Sequence, residues 1–74
     1  MTDIAKQAKA ELAPLSPRER EFLILAGKGL SLLQVAQSMN ISYQMSKDYS
    51  TKVRLKLAMT MIEAAVLATK AGWL

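Results

Sequence analysis

Cysteine and histidine are both missing from this chain. That excludes a disulfide framework, a thiolate metal site and any imidazole chemistry. Glycine occurs three times and proline twice, so there is no flexible linker and no phosphate-cradling loop. The Gly27-Lys28-Gly29 tripeptide lacks the spacing and following strand of a P-loop and reads as a helix stop. No convergent pair of carboxylates stands out either, and the chain is not expected to be an enzyme or to hold a cofactor, a metal or a small-molecule ligand. The longest apolar stretches, FLILA and AAVLA, fall far short of the ~20 residues that span a bilayer. The opening MTDIAKQAKAEL has no hydrophobic export core. A cytoplasmic protein without membrane contact is expected.

What is present is apolar and helical. Hydrophobic residues make up 51% of a chain of 74, which allows one domain at most and leaves more apolar surface than so short a chain needs for its own core. A second copy is the simplest partner to cover the remainder. The net charge is +4, with five basic and four acidic groups in residues 1–40 against five and two in residues 41–74. The positive excess is therefore C-terminal, and it permits a polyanion partner.

Capping boxes are the strongest local signals. In each, a Ser or Thr side chain accepts from the backbone three residues on while a Glu or Gln reaches back. Ser16-Pro17-Arg18-Glu19, Ser31-Leu32-Leu33-Gln34 and Thr60-Met61-Ile62-Glu63 have this form, and Ser42 is a further N-cap without the reciprocal acid. Gly27 with Gly29, then Asn40, then Gly72 supply the stops. Helices are predicted near Pro17–Ala26, Leu32–Met39, Tyr43–Ala58 and Met61–Ala71. A weaker one near Asp3–Leu12 has a thin stripe of Ile4, Ala8 and Leu12. No alternating pattern competes, so the chain reads as all-α. Residues 1–14 form an N-terminal helix or extension, and residues 15–74 the domain proper.

The second and third capped helices are separated by only Asn40-Ile41-Ser42. A short helix, a tight turn and a longer helix make a helix-turn-helix, with Val35-Ala36 allowing close approach and Ile41 plugging the turn. LSPREREFLILAGKGLSLLQVAQSMNIS resembles the opening of the LuxR/NarL/GerE-type DNA-binding domain. That pattern has Leu, Ser or Thr, then Arg-Glu and a second Glu, a Leu-rich helix, Gly, and a later Ile-Ser turn. The similarity runs from Leu15 to Leu74 and includes the last helix, EAAVLATKAGWL. It implies a four-helix domain of that type preceded by a short N-terminal helix, binding double-stranded DNA as a small stand-alone transcriptional regulator, with no room before Leu15 for a sensing domain.

Advancing 100° per residue puts Lys47, Gln44, Thr51, Leu55 and Asp48 within an arc of about 100° on the third capped helix. Tyr49, Val53 and Leu57, with Ser46 and Ser50, take the opposite side as the core stripe. The resemblance assigns base and phosphate contacts to Lys47, Asp48 and Thr51, helped by Lys52, Arg54 and Lys56, with Ser42 and Gln44 at the start of the same helix. Arg18 and Arg20 are read as pairing with Glu19 and Glu21 or binding phosphate. Lys47 can donate to guanine or phosphate, and Asp48 can accept from cytosine N4.

Several positions depart from the family pattern. Leu33 stands where Lys is common, Met45 where Thr is usual, Leu55 where Arg or Lys is common, Ser46 where Val is usual, and Tyr49 where His is frequent. Every phosphate that thereby goes without a polar partner weakens non-specific binding. If Leu32, Leu33, Met45 and Leu55 cluster, they form an apolar patch that fits protein; otherwise Leu32 and Leu33 pack under the N-terminal helix. The alternative function is then a co-regulator or anti-activator that binds another transcription factor or RNA polymerase, with weak DNA binding or none.

In the last helix Met61, Ala64, Ala65, Ala68 and Ala71 form a side of small or unbranched residues, while Ile62, Val66 and Leu67 are bulky. The resemblance makes this helix a dimer face, assigned to the small-residue side, for a homodimer or a heterodimer with a related regulator. The bulky side is read as completing the monomer core. Trp73 and Leu74 are expected to fold back as a lid.

Overall fold

The computed structural model describes residues 2–74. Each predicted cap forms. Ser16 Oγ accepts from the Glu19 backbone at 3.2 Å while Glu19 Oε1 accepts from the Ser16 N–H at 2.8 Å. The Ser31–Gln34 and Thr60–Glu63 boxes repeat the exchange. Ser42 caps alone, accepting from the Met45 N–H at 3.1 Å. These contacts satisfy N–H groups that the first turn of a helix leaves without intrahelical partners.

The result, among the described residues, is five helices and no strand: α1 Thr2–Leu12, α2 Pro17–Gly27, α3 Leu32–Met39, α4 Tyr43–Leu57 and α5 Met61–Lys70. None is long and apolar enough to cross a membrane.

Three helix ends share one device. A left-handed residue lets the next N–H reach back to a carbonyl five positions earlier. The Ile41 N–H donates to Ala36, Met59 to Arg54 and Trp73 to Ala68, at 2.9, 3.2 and 2.9 Å. The left-handed residues are Asn40, Ala58 and Gly72. The sequence predicts Ala58 as the last helical residue; instead its φ of 54° ends α4. Gly27 remains inside α2, and Gly29, at φ 93°, makes the turn that follows it.

Phe22 and Leu23 of α2, Val35 and Met39 of α3, Val53 of α4 and Leu67 of α5 are buried together. α5 packs on α2 and α1, while α4 packs on α3 and α2. The N-terminal helix joins this core through Ala8 and Leu12, but Ile4, predicted on the same stripe, is exposed.

The structure corrects the reading of α5. Ala64, Ala68 and Ala71, assigned to a dimer face, are buried in the chain's own core, and Met61 and Ala65 are partly covered. Leu67 turns inward as the bulky-side reading has it, but Ile62 and Val66 point to solvent, 79% and 50% exposed. The reason is steric. Methyl side chains let α5 come close to its neighbours, so the alanine side is the one that seats.

At the C-terminus Trp73 packs against the core and receives the Arg20 guanidinium 4.2 Å from its ring centroid. Leu74 lies over Gly27, where an added Cβ would come within 2.6 Å of Leu74 Cδ1.

Candidate nucleic-acid interface

Four long-range ties hold the inner side of α4. Val53 is fully buried. The Tyr49 ring stacks on Phe22 at 5.9 Å between centroids. Ser46, also fully buried, donates its hydroxyl to the Leu32 carbonyl at 2.8 Å. Where valine would offer only apolar contact, this serine joins α4 to the first turn of α3 by a hydrogen bond whose hydroxyl is satisfied in the core.

The fourth tie is Lys56. Its ammonium lies 2.7 Å from Glu19 Oε1, the same oxygen that closes the α2 capping box. Burial pushes the Glu19 carboxyl up, but the hydrogen bond from Lys56 and those from the Ser16 backbone and hydroxyl outweigh it and hold the group below its ordinary value of 4.5. Lys56 therefore serves the fold. Its ammonium, read from the resemblance as a DNA contact, is engaged by a buried carboxylate.

The remaining candidates stand on the outer side. Gln44, Lys47, Asp48, Thr51, Lys52, Arg54 and Leu55 are all exposed, as is Ser42. The Thr51 hydroxyl donates to the Lys47 carbonyl at 3.2 Å and lies 3.4 Å from Arg54 Nη2, whose Nε donates to the Ser50 carbonyl. Gln44 Nε2 donates to Asp48 Oδ1 at 3.1 Å. Lys47 and Lys52 extend over the rings of Tyr43 and Tyr49, at 5.7 and 6.0 Å. Ser42 Oγ is occupied as a cap. The ridge thus brings together Lys47, Arg54 and one acid, with Lys52 at its flank toward Tyr49; none of the three cations has a carboxylate partner among the described residues.

The apolar departures do not merge into one patch. Leu32 packs against the core, while Leu33 is exposed beside Tyr43 at a shallow hollow that Ser31 and Leu32 complete. Leu55, 75% exposed, lies ten residues beyond Met45, about 15 Å along the helix. α1 packs chiefly on α5, so it does not cover Leu33 as the other arrangement requires.

Arg18 has a role that sequence reading leaves open. One guanidinium nitrogen pairs with Glu21 at 3.0 Å, and another donates to the Met39 carbonyl at 3.1 Å, in the last turn of α3. The pairing with Glu21 is visible in the three-residue spacing; the reach to Met39, 21 residues away, has no local signal. Arg20 is on Trp73. Neither arginine belongs to the α4 ridge.

The family described as bacterial regulatory proteins, luxR family (GerE), matches residues 13–69. No curated protein and no solved structure matches the chain.

Proposed function

Given that the chain belongs to the luxR family of bacterial regulatory proteins, a family of DNA-binding transcription regulators rather than enzymes, we propose that α4 is its reading helix and enters the major groove of a duplex. The observation that carries this is the joint exposure of Lys47 and Thr51 on one ridge of a helix whose opposite side is fastened by Ser46, Tyr49, Val53 and Lys56. A rigidly seated helix with a cationic outer ridge matches what groove entry requires. Lys47, Lys52 and Arg54 address phosphates, while Gln44, Asp48 and Thr51 face base edges.

Two copies pair through the outward side of α5, where Ile62, Val66 and Thr69 recur at helical spacing. A two-fold arrangement places two reading helices for a two-fold related site. The work is done in the cytoplasm, at the nucleoid. A heterodimer with a related regulator uses the same side.

The test is a salt titration of duplex binding by the purified chain. Replacing Lys47 and Thr51 together by Ala is expected to weaken binding and to reduce the slope of log affinity against log salt by roughly 0.9 for each phosphate no longer neutralised. Unchanged affinity and slope in the double variant would remove the assigned ridge. A second reading, docking on another regulator or on RNA polymerase, draws on exposed Leu33, Tyr43 and Leu55. It would be favoured by a chain that fails to bind duplexes at about 50 mM salt but co-purifies with one of those proteins.

A further inference from the structure

We propose that Gln44 and Asp48 act as a single base-reading unit that selects adenine and rejects guanine, an inference that rests on α4 lying in the major groove. Both residues are exposed in the first two turns of α4, the part of a recognition helix that reaches base edges. Gln44 Nε2 lies 3.1 Å from Asp48 Oδ1. An ionised carboxylate only accepts, so it is the amide nitrogen of Gln44 that must face it. The carboxamide is thereby oriented before DNA arrives.

One amide N–H is used on Asp48. The other N–H and Oε1 remain as an adjacent donor and acceptor. Adenine presents N7 as an acceptor and its N6 amino group as a donor, which this pair matches in two hydrogen bonds. Guanine presents two acceptors, N7 and O6. It leaves Gln44 Oε1 without a donor and sets O6 against that oxygen, because the bond to Asp48 keeps the carboxamide from turning its nitrogen toward O6. Asp48 is the only acid on α4, and it makes no ion pair among the described residues. Its charge lowers affinity for phosphate in general, and what it supplies in return is discrimination.

The experiment selects sites from a randomised duplex pool with the full chain. It then measures affinity for the best site with adenine, guanine or 7-deazaadenine at each adenine position. Wild type, Gln44→Ala and Asp48→Ala are compared, with thermal melting as a folding check. At one such position the wild type is expected to prefer adenine over guanine by about tenfold or more, the worth of one good bidentate contact, and 7-deazaadenine, which lacks the N7 acceptor, should forfeit most of that preference. Gln44→Ala should flatten the ranking there. Asp48→Ala should admit guanine and also bind mixed-sequence duplexes more tightly. Salt-dependent binding with the same base ranking in all three proteins overturns the unit and leaves groove entry standing. Failure of the wild type to bind any duplex at about 50 mM salt overturns both.

Discussion

α4 and α5 are neighbours with opposite surfaces. α4 seats by specific, distant ties: a buried hydroxyl on a carbonyl, a ring on a ring and an ammonium on a buried carboxylate. It leaves cations, Gln44 and Asp48 outside, with Leu55 among them. α5 seats by apolar packing, with Ala64, Ala68 and Ala71 buried beside Leu67, and leaves Ile62 and Val66 outside. Directional contacts fix the rotation of a helix about its axis, which the base-reading role proposed for α4 needs. Close methyl packing fixes distance more than rotation and leaves an apolar outer face, which suits a second chain.

That contrast is most severely tested on α5. Ala68 is 0% exposed, so Ala68→Leu overfills the core and should lower stability by about 1–3 kcal/mol, read by urea denaturation. Replacing Ile62 and Val66 together by Glu should leave the fold of the monomer intact, but convert any dimer to monomer in analytical ultracentrifugation. A dimer that survives the double Glu variant would place the interface elsewhere.

Lys56→Met sharpens the distinction between a seating lysine and a reading one. It removes a partner from buried Glu19 and should cost about 1–3 kcal/mol in stability, while leaving the salt slope of DNA binding unchanged. The pH dependence follows from the same pair. The folded pKa of Glu19 is lowered from 4.5, so its contribution is complete above about 4.5 and is lost as pH falls through the folded value. Glu63, lowered by the backbone and hydroxyl of Thr60, contributes in the same direction. Stability followed from pH 7 to pH 3 should therefore fall at the acid end, and Lys56→Met should flatten that fall, because Glu19 then loses the cation that holds its pKa down.

The smallest effect concerns the joint between the two helices. Ala58 sits at φ 54°, a left-handed conformation that disfavours a Cβ by about 1–2 kcal/mol. Ala58→Gly relieves that strain, partly offset by the greater freedom of glycine in the unfolded chain. A rise in melting temperature of a few degrees is expected, with no change in base preference.

The sequence by itself determined the features that depend on residues three or four apart. Helix starts at Ser16, Ser31, Ser42 and Thr60 follow from hydrogen bonds within one turn, and the two sides of α4 follow from its period, because one side is mostly polar or charged, Leu55 excepted, and the other carries Tyr49, Val53 and Leu57. Tertiary structure alone decided which side of α5 faces inward. Both of its sides are uncharged over most of their length, so composition ranks them by bulk but not by the space the neighbouring helices leave. It also decided that Lys56 belongs to Glu19, 37 residues away: a charge on a helix has several partners within reach of its side chain, and only the packing of α2 against α4 brings one buried carboxylate to 2.7 Å.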